Sequence, residues 1–332
     1  MVNVAINGFG RIGRMVLRAG WKDKKINFVA INDLTDTKNL AYLLQYDSVH
    51  GVFEEKVSYT KDSLIIGKKK IRVYAEKEPA NLPWKKHQVN VVVESTGRFR
   101  TKELCNLHLK AGAKKVILSA PCKGNDVPMY VYGVNHKKYK QSEKIVSNAS
   151  CTTNGLAPLV KVINDKFGIK KGLMTTVHAY TNGQKLLDLP HPDLRRGRAA
   201  ALNIIPTSTG AAKALGKVIP ELDGKLNGMA IRVPVADGSL IDLTLELKKK
   251  VNGCGIVNDA LIKASKKEMK GIVEHSEFPL VSSDIIGNSH SCVFESDCTL
   301  EMEGNMVKII AWYDNEWGYS SRMIDMVKYI SK

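Results

Sequence analysis

The sequence predicts an α/β chain with a doubly wound parallel sheet at its start. A second domain of α+β type, built on a mainly antiparallel sheet, follows. Three observations carry this. Short apolar strands without a polar alternate recur through the first 150 residues, as expected where helices cover both faces of a parallel sheet. A glycine-rich turn, Gly8–Phe9–Gly10–Arg11–Ile12–Gly13, directly follows the first of them. Further on, Ile241, Leu243, Leu245 and Leu247 alternate with Asp242, Thr244 and Glu246, a strand with one buried and one polar face. A chain of 332 residues exceeds one ordinary core and suits two domains.

The elements follow in order. VNVAING, INFVAIND, VNVVVESTG, AKKVILSAP and EKIVSNAS read as the parallel strands. Between Val57 and Val73 a turn at Ile66–Gly67–Lys68 predicts a small hairpin. A helix runs from Cys151 to Phe167, because Leu156, Leu159, Val160, Ile163 and Phe167 give one apolar face and Ser150 can cap it. Leu173 to Val177 and Met229 to Val233 read as further strands. Met323, Ile324, Met326, Val327 and Ile330 give a last helix from Tyr319 to Ile330.

Composition excludes several classes. Hydrophobic residues make up 44% and charged residues 25%, the balance of a globular protein. No apolar run approaches the roughly 20 residues that span a bilayer, and the start is a strand, not a secretion signal. A cytoplasmic protein without membrane contact is expected. Cysteines 105, 122, 151, 254, 292 and 298 show no C-x-x-C pair and no zinc spacing, so no metal is expected and the thiols should be free. The net charge of +17 is spread through clusters such as Lys68–Lys70 and Lys248–Lys250. These read first as solvated turns and second as attraction for a polyanion, either nucleic acid or a phosphorylated substrate. No nucleic-acid motif accompanies them.

The glycine turn has the context that gives G-x-G-x-x-G its meaning: a strand before, a helix after, and an acidic residue about 20 positions on. Gly8, Gly10 and Gly13 permit a tight turn and close approach of a pyrophosphate to helix amides. Asp33 is placed to accept hydrogen bonds from an adenosine ribose and to repel a 2′-phosphate, which favours NAD over NADP. Cys151 lies among small polar residues in the first turn of its helix, where the dipole is expected to lower a thiol from about 8.5 towards neutrality. His178 ends an apolar strand and is either structural or the base that a thiolate needs. Arg232 interrupts a half-buried strand and requires a phosphate or an internal carboxylate. Thr207–Ser208–Thr209–Gly210 offers hydroxyls and amides ahead of the helix AAKALGKV.

INGFGRIGR, SNASCTTN around Cys151, NIIPTSTGAAKALGKVIPEL from 203 and WYDNEWGYS from 312 together resemble the phosphorylating glyceraldehyde-3-phosphate dehydrogenases, over essentially the whole chain. The resemblance implies a Rossmann-type NAD-binding domain of residues 1–150 and 316–332 and a catalytic domain of 151–315. It implies Cys151 as nucleophile and His178 as base. Arg11, Ile12, Asp33, Lys77 and Ser119 would lie along the cofactor, and Asn315 would hold the nicotinamide carboxamide. Thr181, Arg196 and Arg232 would bind one anion and Ser150, Thr152, Thr209 and Gly210 the other, with Arg195 beside Arg196 as an alternative contact. The implied reaction oxidises glyceraldehyde 3-phosphate, with inorganic phosphate and NAD, to 1,3-bisphosphoglycerate in a homotetramer. Erythrose 4-phosphate on the same scaffold is the nearest rival, and a basic nucleic-acid-binding protein is the rival from another class. Gly155 stands where many relatives carry a second cysteine, Lys77 where many carry arginine, and Gly183 where some carry a polar residue. Leu189–Pro190 matches the form of NAD-using members.

Overall fold

A computed structural model describes residues 1–332. The chain divides into two compact units, one of residues 1–130, 136–149 and 320–332, the other of 131–135 and 150–319. The expected bounds, 1–150 and 316–332, differ from this division at residues 131–135, 150 and 316–319.

In the first unit, β1 (Val2–Asn7), α1 (Arg11–Gly20), β2 (Ile26–Asn32) and α2 (Thr37–Gln45) open the chain. A two-residue pairing of β3 (Tyr46–Asp47) with β4 (Gly51–Val52) comes next. Then follow β5 (Val57–Thr60), β6 (Ser63–Ile66) and β7 (Lys69–Tyr74). The expected hairpin is therefore a three-stranded meander, with β6 antiparallel to both neighbours. The strand missed by sequence reading, β5, is short and mostly exposed, so no apolar alternation marks it. Next come β8 (Val91–Glu94), α3 (Lys102–Lys110), β9 (Lys115–Leu118) and β10 (Ile145–Ser147). The sheet order is β10-β9-β8-β1-β2-β7-β6-β5. All pairs from β10 to β7 are parallel. The chain moves outward on both sides of β1 and β8, so their carboxyl ends form a switch point, where α/β sheets bind ligands.

Gly13 shows how closely the first helix meets the glycine turn. A Cβ there would lie 2.2 Å from the Gly8 carbonyl oxygen and 3.1 Å from Ile6 Cγ2. Gly13→Ala is therefore expected to destabilise the chain by about 2 kcal/mol or more, read as a fall in the urea midpoint at unchanged slope. A loss below about 0.5 kcal/mol would show that the turn relaxes freely.

In the second unit, α4 (Cys151–Phe167) begins at Ser150, whose hydroxyl accepts from Thr153 N at 3.1 Å. Its predicted apolar face is buried. Ala149, just ahead of it, has φ +60° and is fully buried, a left-handed conformation that costs a non-glycine residue about 1–2 kcal/mol. The turn from β10 into α4 is thus held against its own preference. The strands β11 (Ile169–Ala179), β12 (Ile205–Ser208), β13 (Leu226–Val233) and β14 (Ser239–Leu247) follow, with α5 (Ala211–Val218) between β12 and β13. After α6 (Cys254–Lys266) come β15 (Val273–Ser276), β16 (Cys292–Met302) and β17 (Met306–Tyr313). The order is β12-β13-β11-β14-β17-β16-β15. Four of the six pairings are antiparallel; β11–β13 and β15–β16 are parallel.

The last helix, α7 (Trp317–Ile330), returns to the first unit. There Lys328 bonds Asp23 at 2.8 Å, and Lys115 Nζ donates to the Ile330 carbonyl. No helix is long and apolar enough to cross a membrane.

Candidate active site

Two sites take shape, one in each unit. In the first, a cleft of about 520 Å³ opens beside the carboxyl ends of β1, β2 and β8, lined by Gly8, Gly10, Asp33, Lys77 and Thr96 among others. Gly8 has φ +89°, and a Cβ on it would meet Thr96 N at 2.6 Å. Nothing lies within 4 Å of a Cβ on Gly10, so its face is open. No acidic residue stands in the first turn of α1, and Gly10 caps it without a side-chain bond. The Asp33 carboxylate accepts from Phe9 N at 2.7 Å and from Thr35 N at 2.9 Å, which fixes its direction.

Two expected cofactor residues are placed differently from a simple lining. The Arg11 guanidinium is held by Asp47, at 2.5 and 3.2 Å, so its charge serves the turn after α2. Burial would raise Asp47, but hydrogen bonds from His50 N and Arg11 win and hold it at about 2. Ser119 follows β9, where its amide donates to the Glu94 carbonyl at 3.0 Å. It lies outside the residues lining the cleft.

In the second unit, strand register builds the site. His178 on β11 pairs directly with Arg232 on β13, and Ser239 on β14 pairs with Tyr313 on β17. The amino end of α4 brings Cys151, whose Sγ lies 3.5 Å from His178 Nε2. His178 Nδ1 is 2.7 Å from the Ala179 carbonyl and 2.7 Å from Arg232 Nη1, which itself donates to Ala179 O at 2.8 Å. Two tautomers follow. With its proton on Nδ1, donated to Ala179 O, the ring turns the Nε2 lone pair to the sulfur. With Arg232 donating to Nδ1, the proton sits on Nε2 instead.

Burial pushes the Cys151 thiol above its ordinary value, against the opposing charge of Arg232 and hydrogen bonds from Thr152. This direction is opposite to the lowering expected from the helix end, because desolvation is the largest effect on the thiol. His178 is pushed down to about 3, first by burial and then by the Arg232 charge. Both groups are therefore neutral around pH 7.

No carboxylate pairs with Arg232. Its Nη1 rests on neutral acceptors, and its Nε is buried without a hydrogen-bond partner. The Arg196 charge also acts on His178 and Arg232. Its Nε donates to Thr207 Oγ1 at 2.8 Å, whereas Arg195 is exposed. Thr209 and Gly210 stand at the amino end of α5, where Thr209 Oγ1 accepts from Ala211 N at 3.2 Å. Thr181, just past β11, is exposed. The Thr152 hydroxyl lies 2.9 Å from Tyr313 Oη, which also bonds Thr176 at 2.8 Å. Asn315 Oδ1 accepts from Ser239 Oγ at 2.5 Å, and Ser239 Oγ accepts from Ala179 N at 3.1 Å. Gly155, within α4, faces the Tyr313 ring: a Cβ would sit 3.1 Å from Ile241 Cδ1 and 3.4 Å from Tyr313 Cγ.

Sequence reading missed Tyr313 and Ser239, which back the histidine and the asparagine. The signal available for Tyr313 was the alternation of β17, which turns it inward.

A dinucleotide cleft together with a thiol–imidazole pair at a helix end defines an NAD-dependent oxidoreductase of the aldehyde-oxidising kind. Family models agree over most of the chain. Residues 2–102 match the NAD binding domain of glyceraldehyde 3-phosphate dehydrogenase and residues 150–315 match its C-terminal domain. The chain is 54% identical to glyceraldehyde-3-phosphate dehydrogenase 1 of Bacillus cereus, over 100% of this chain and 99% of that one. It is 56% identical to glyceraldehyde-3-phosphate dehydrogenase 1 of Bacillus subtilis, over 100% and 98%. Identity to the Phytophthora infestans glyceraldehyde-3-phosphate dehydrogenase is 53%, over 100% and 99%. The chain belongs to the glyceraldehyde-3-phosphate dehydrogenase family.

Proposed function

We propose that the chain oxidises D-glyceraldehyde 3-phosphate, with inorganic phosphate and NAD, to 1,3-bisphosphoglycerate through a thioester on Cys151. The observation that carries this is the pairing of Cys151 Sγ with His178 Nε2 at 3.5 Å beside the half-buried guanidinium of Arg232, whose Nε is buried without a hydrogen-bond partner.

The cleft fits a dinucleotide: Gly8 and Gly10 leave a cradle that side chains would fill, α1 offers amides, and Asp33 is aimed by Phe9 N. Residues Gly8, Gly10, Arg11, Ile12, Gly13, Asp33 and Lys77 would hold the cofactor, with Arg11 acting through its backbone. When bound, the nicotinamide supplies the hydride acceptor.

The chain's own residues do the rest. His178 in its Nδ1–H tautomer takes the Cys151 proton as sulfur bonds the aldehyde carbon, and returns it to the new oxyanion. The same Nε2 lone pair then takes the hydroxyl proton as the carbon is oxidised to the thioester. Phosphate attacks the thioester carbon and the Cys151 thiolate leaves. Arg232 and Arg196 would hold one anion and the amides of Ser150, Thr152, Thr209 and Gly210 the other, which orients the reactants. Asn315, its oxygen committed to Ser239, presents its amide nitrogen as the donor a carboxamide oxygen requires. Assembly as a homotetramer in the cytoplasm belongs to the same proposal.

An absorbance assay of NADH formation tests the reading. Multiple turnovers are expected with glyceraldehyde 3-phosphate plus phosphate, and collapse of the rate without phosphate. A higher kcat/KM for erythrose 4-phosphate would redirect the substrate, and no aldehyde-dependent NADH would end the proposal.

A further inference from the structure

A buried chain of polar side chains runs beneath the dinucleotide cleft, and none of the steps above uses it. Trp84, His108 and Asn7 are fully buried, and Glu94, at the end of β8, is 3% exposed. Trp84 Nε1 lies 3.0 Å from His108 Nδ1. An indole nitrogen only donates, so Nδ1 accepts and the ring proton sits on Nε2. That Nε2 is 3.1 Å from Glu94 Oε2, which also accepts from Asn7 Nδ2 at 2.6 Å. Glu94 Oε1 takes both donors of Thr96, the amide at 2.9 Å and the hydroxyl.

From Glu94 the order passes to the cleft in two directions. Thr96 forms the wall against Gly8, whose missing Cβ leaves room for its amide. Asn7, with its nitrogen held by Glu94, turns Oδ1 to Asn32 Nδ2 at 2.7 Å. Asn32 in turn grips the Glu76 backbone, donating to its carbonyl and accepting from its amide at 2.9 Å each. Asn7, Asn32, Glu76 and Thr96 all line the cleft, and Glu76 precedes Lys77. One carboxylate sets all four, and His108 fixes that carboxylate.

We propose that His108 and Glu94 are a positioning pair for the dinucleotide: the neutral His108, locked as its Nε2–H tautomer by Trp84, aims Glu94 so that the cleft is preformed. The inference rests on reading the cleft as the NAD site. Removing the His108 donor leaves Glu94 held by Asn7 and Thr96 alone, which loosens the carboxylate and the Asn7 amide, so the cleft must be ordered at the expense of binding. His108 touches neither sulfur nor imidazole, so its effect falls on cofactor affinity.

The test compares His108→Leu, His108→Gln and Trp84→Phe with the wild type. NAD affinity is measured by calorimetry, KM and kcat by NADH formation, and the Cys151 alkylation rate as a control. His108→Leu is expected to weaken NAD about tenfold, the equivalent of one buried hydrogen bond, and to raise KM for NAD in parallel. At saturating NAD its kcat and its alkylation rate should stay within about twofold of the wild type. Glutamine keeps a donor near the Nε2 position, so His108→Gln should recover most of the affinity. Trp84→Phe removes the tautomer lock and should weaken NAD severalfold; it decides the matter if His108→Leu does not fold. Unchanged affinity in the variants, equal loss in the Leu and Gln variants, or a fall in kcat at unchanged affinity overturns the inference. Failure of the wild type to bind NAD overturns the dinucleotide reading itself.

Discussion

Cys151→Ser is expected to bind NAD as the wild type does and to lose at least about a thousandfold in kcat. The substitution changes one atom at the amino end of α4, and Ser150 still caps the helix through Thr153. The cleft residues Gly8, Asp33 and Lys77 belong to the other unit and keep their contacts. What changes is the proton. An alcohol gives up its proton far less readily than a thiol, and the only imidazole in reach, His178, is held down at about 3 by burial and Arg232. A weakly basic imidazole is a poorer match to a hydroxyl than to the more acidic thiol. The second half of the reaction fails as well, because an oxygen ester holds less of the oxidation free energy for transfer to phosphate. Calorimetry with NAD and the NADH assay separate the two functions. A serine variant with more than about a hundredth of wild-type kcat would refute a thioester route, and one that no longer bound NAD would show that the substitution had disturbed more than chemistry.

Gly8, Gly10, Gly13 and Asp33 were legible because each is set by local geometry: a turn, a helix start and a strand end within 33 residues. Helix α4 was legible to the residue, since a capping serine and a five-position apolar face define it. Other features depend on partners distant in sequence. The pairing of His178 with Arg232 joins residues 54 apart through the parallel neighbours β11 and β13, and alternation along β14 foretells only antiparallel strands. Arg11 carries no local sign that Asp47 takes its charge. The raised thiol was misjudged for the same reason. The helix end is visible in SNASCTTN, but the packing around sulfur comes from strands at 169–179, 226–233 and 306–313, and that burial decides the sign.

Arg232→Gln is expected to move the pH profile of Cys151 alkylation upward and to raise KM for the phosphorylated aldehyde. A cation beside a thiol favours the thiolate, so Arg232 lowers the Cys151 value; beside an imidazole it disfavours the imidazolium, so it lowers the His178 value too. Removing it raises both. Iodoacetamide reacts with the thiolate, and burial already lifts the wild-type thiol, so the wild-type rate should climb to pH values above the ordinary midpoint of about 8.5. In the Gln variant the rate at pH 8 should fall by about tenfold, the effect of one close charge. Arg232→Lys distinguishes charge from shape. It keeps the cation, so the alkylation profile should stay near the wild type. It loses the planar fork whose Nη1 serves both His178 and Ala179 and whose Nε is orphaned, so KM should rise as in the Gln variant. Without Arg232 Nη1 competing for Nδ1, the Nδ1–H tautomer that the proposed mechanism uses should become the sole one, its proton facing Ala179 O, which nitrogen-15 chemical shifts of His178 report. If the Gln variant leaves the alkylation profile in place or shifts it down, the guanidinium does not govern the sulfur, and its buried position serves the anion alone.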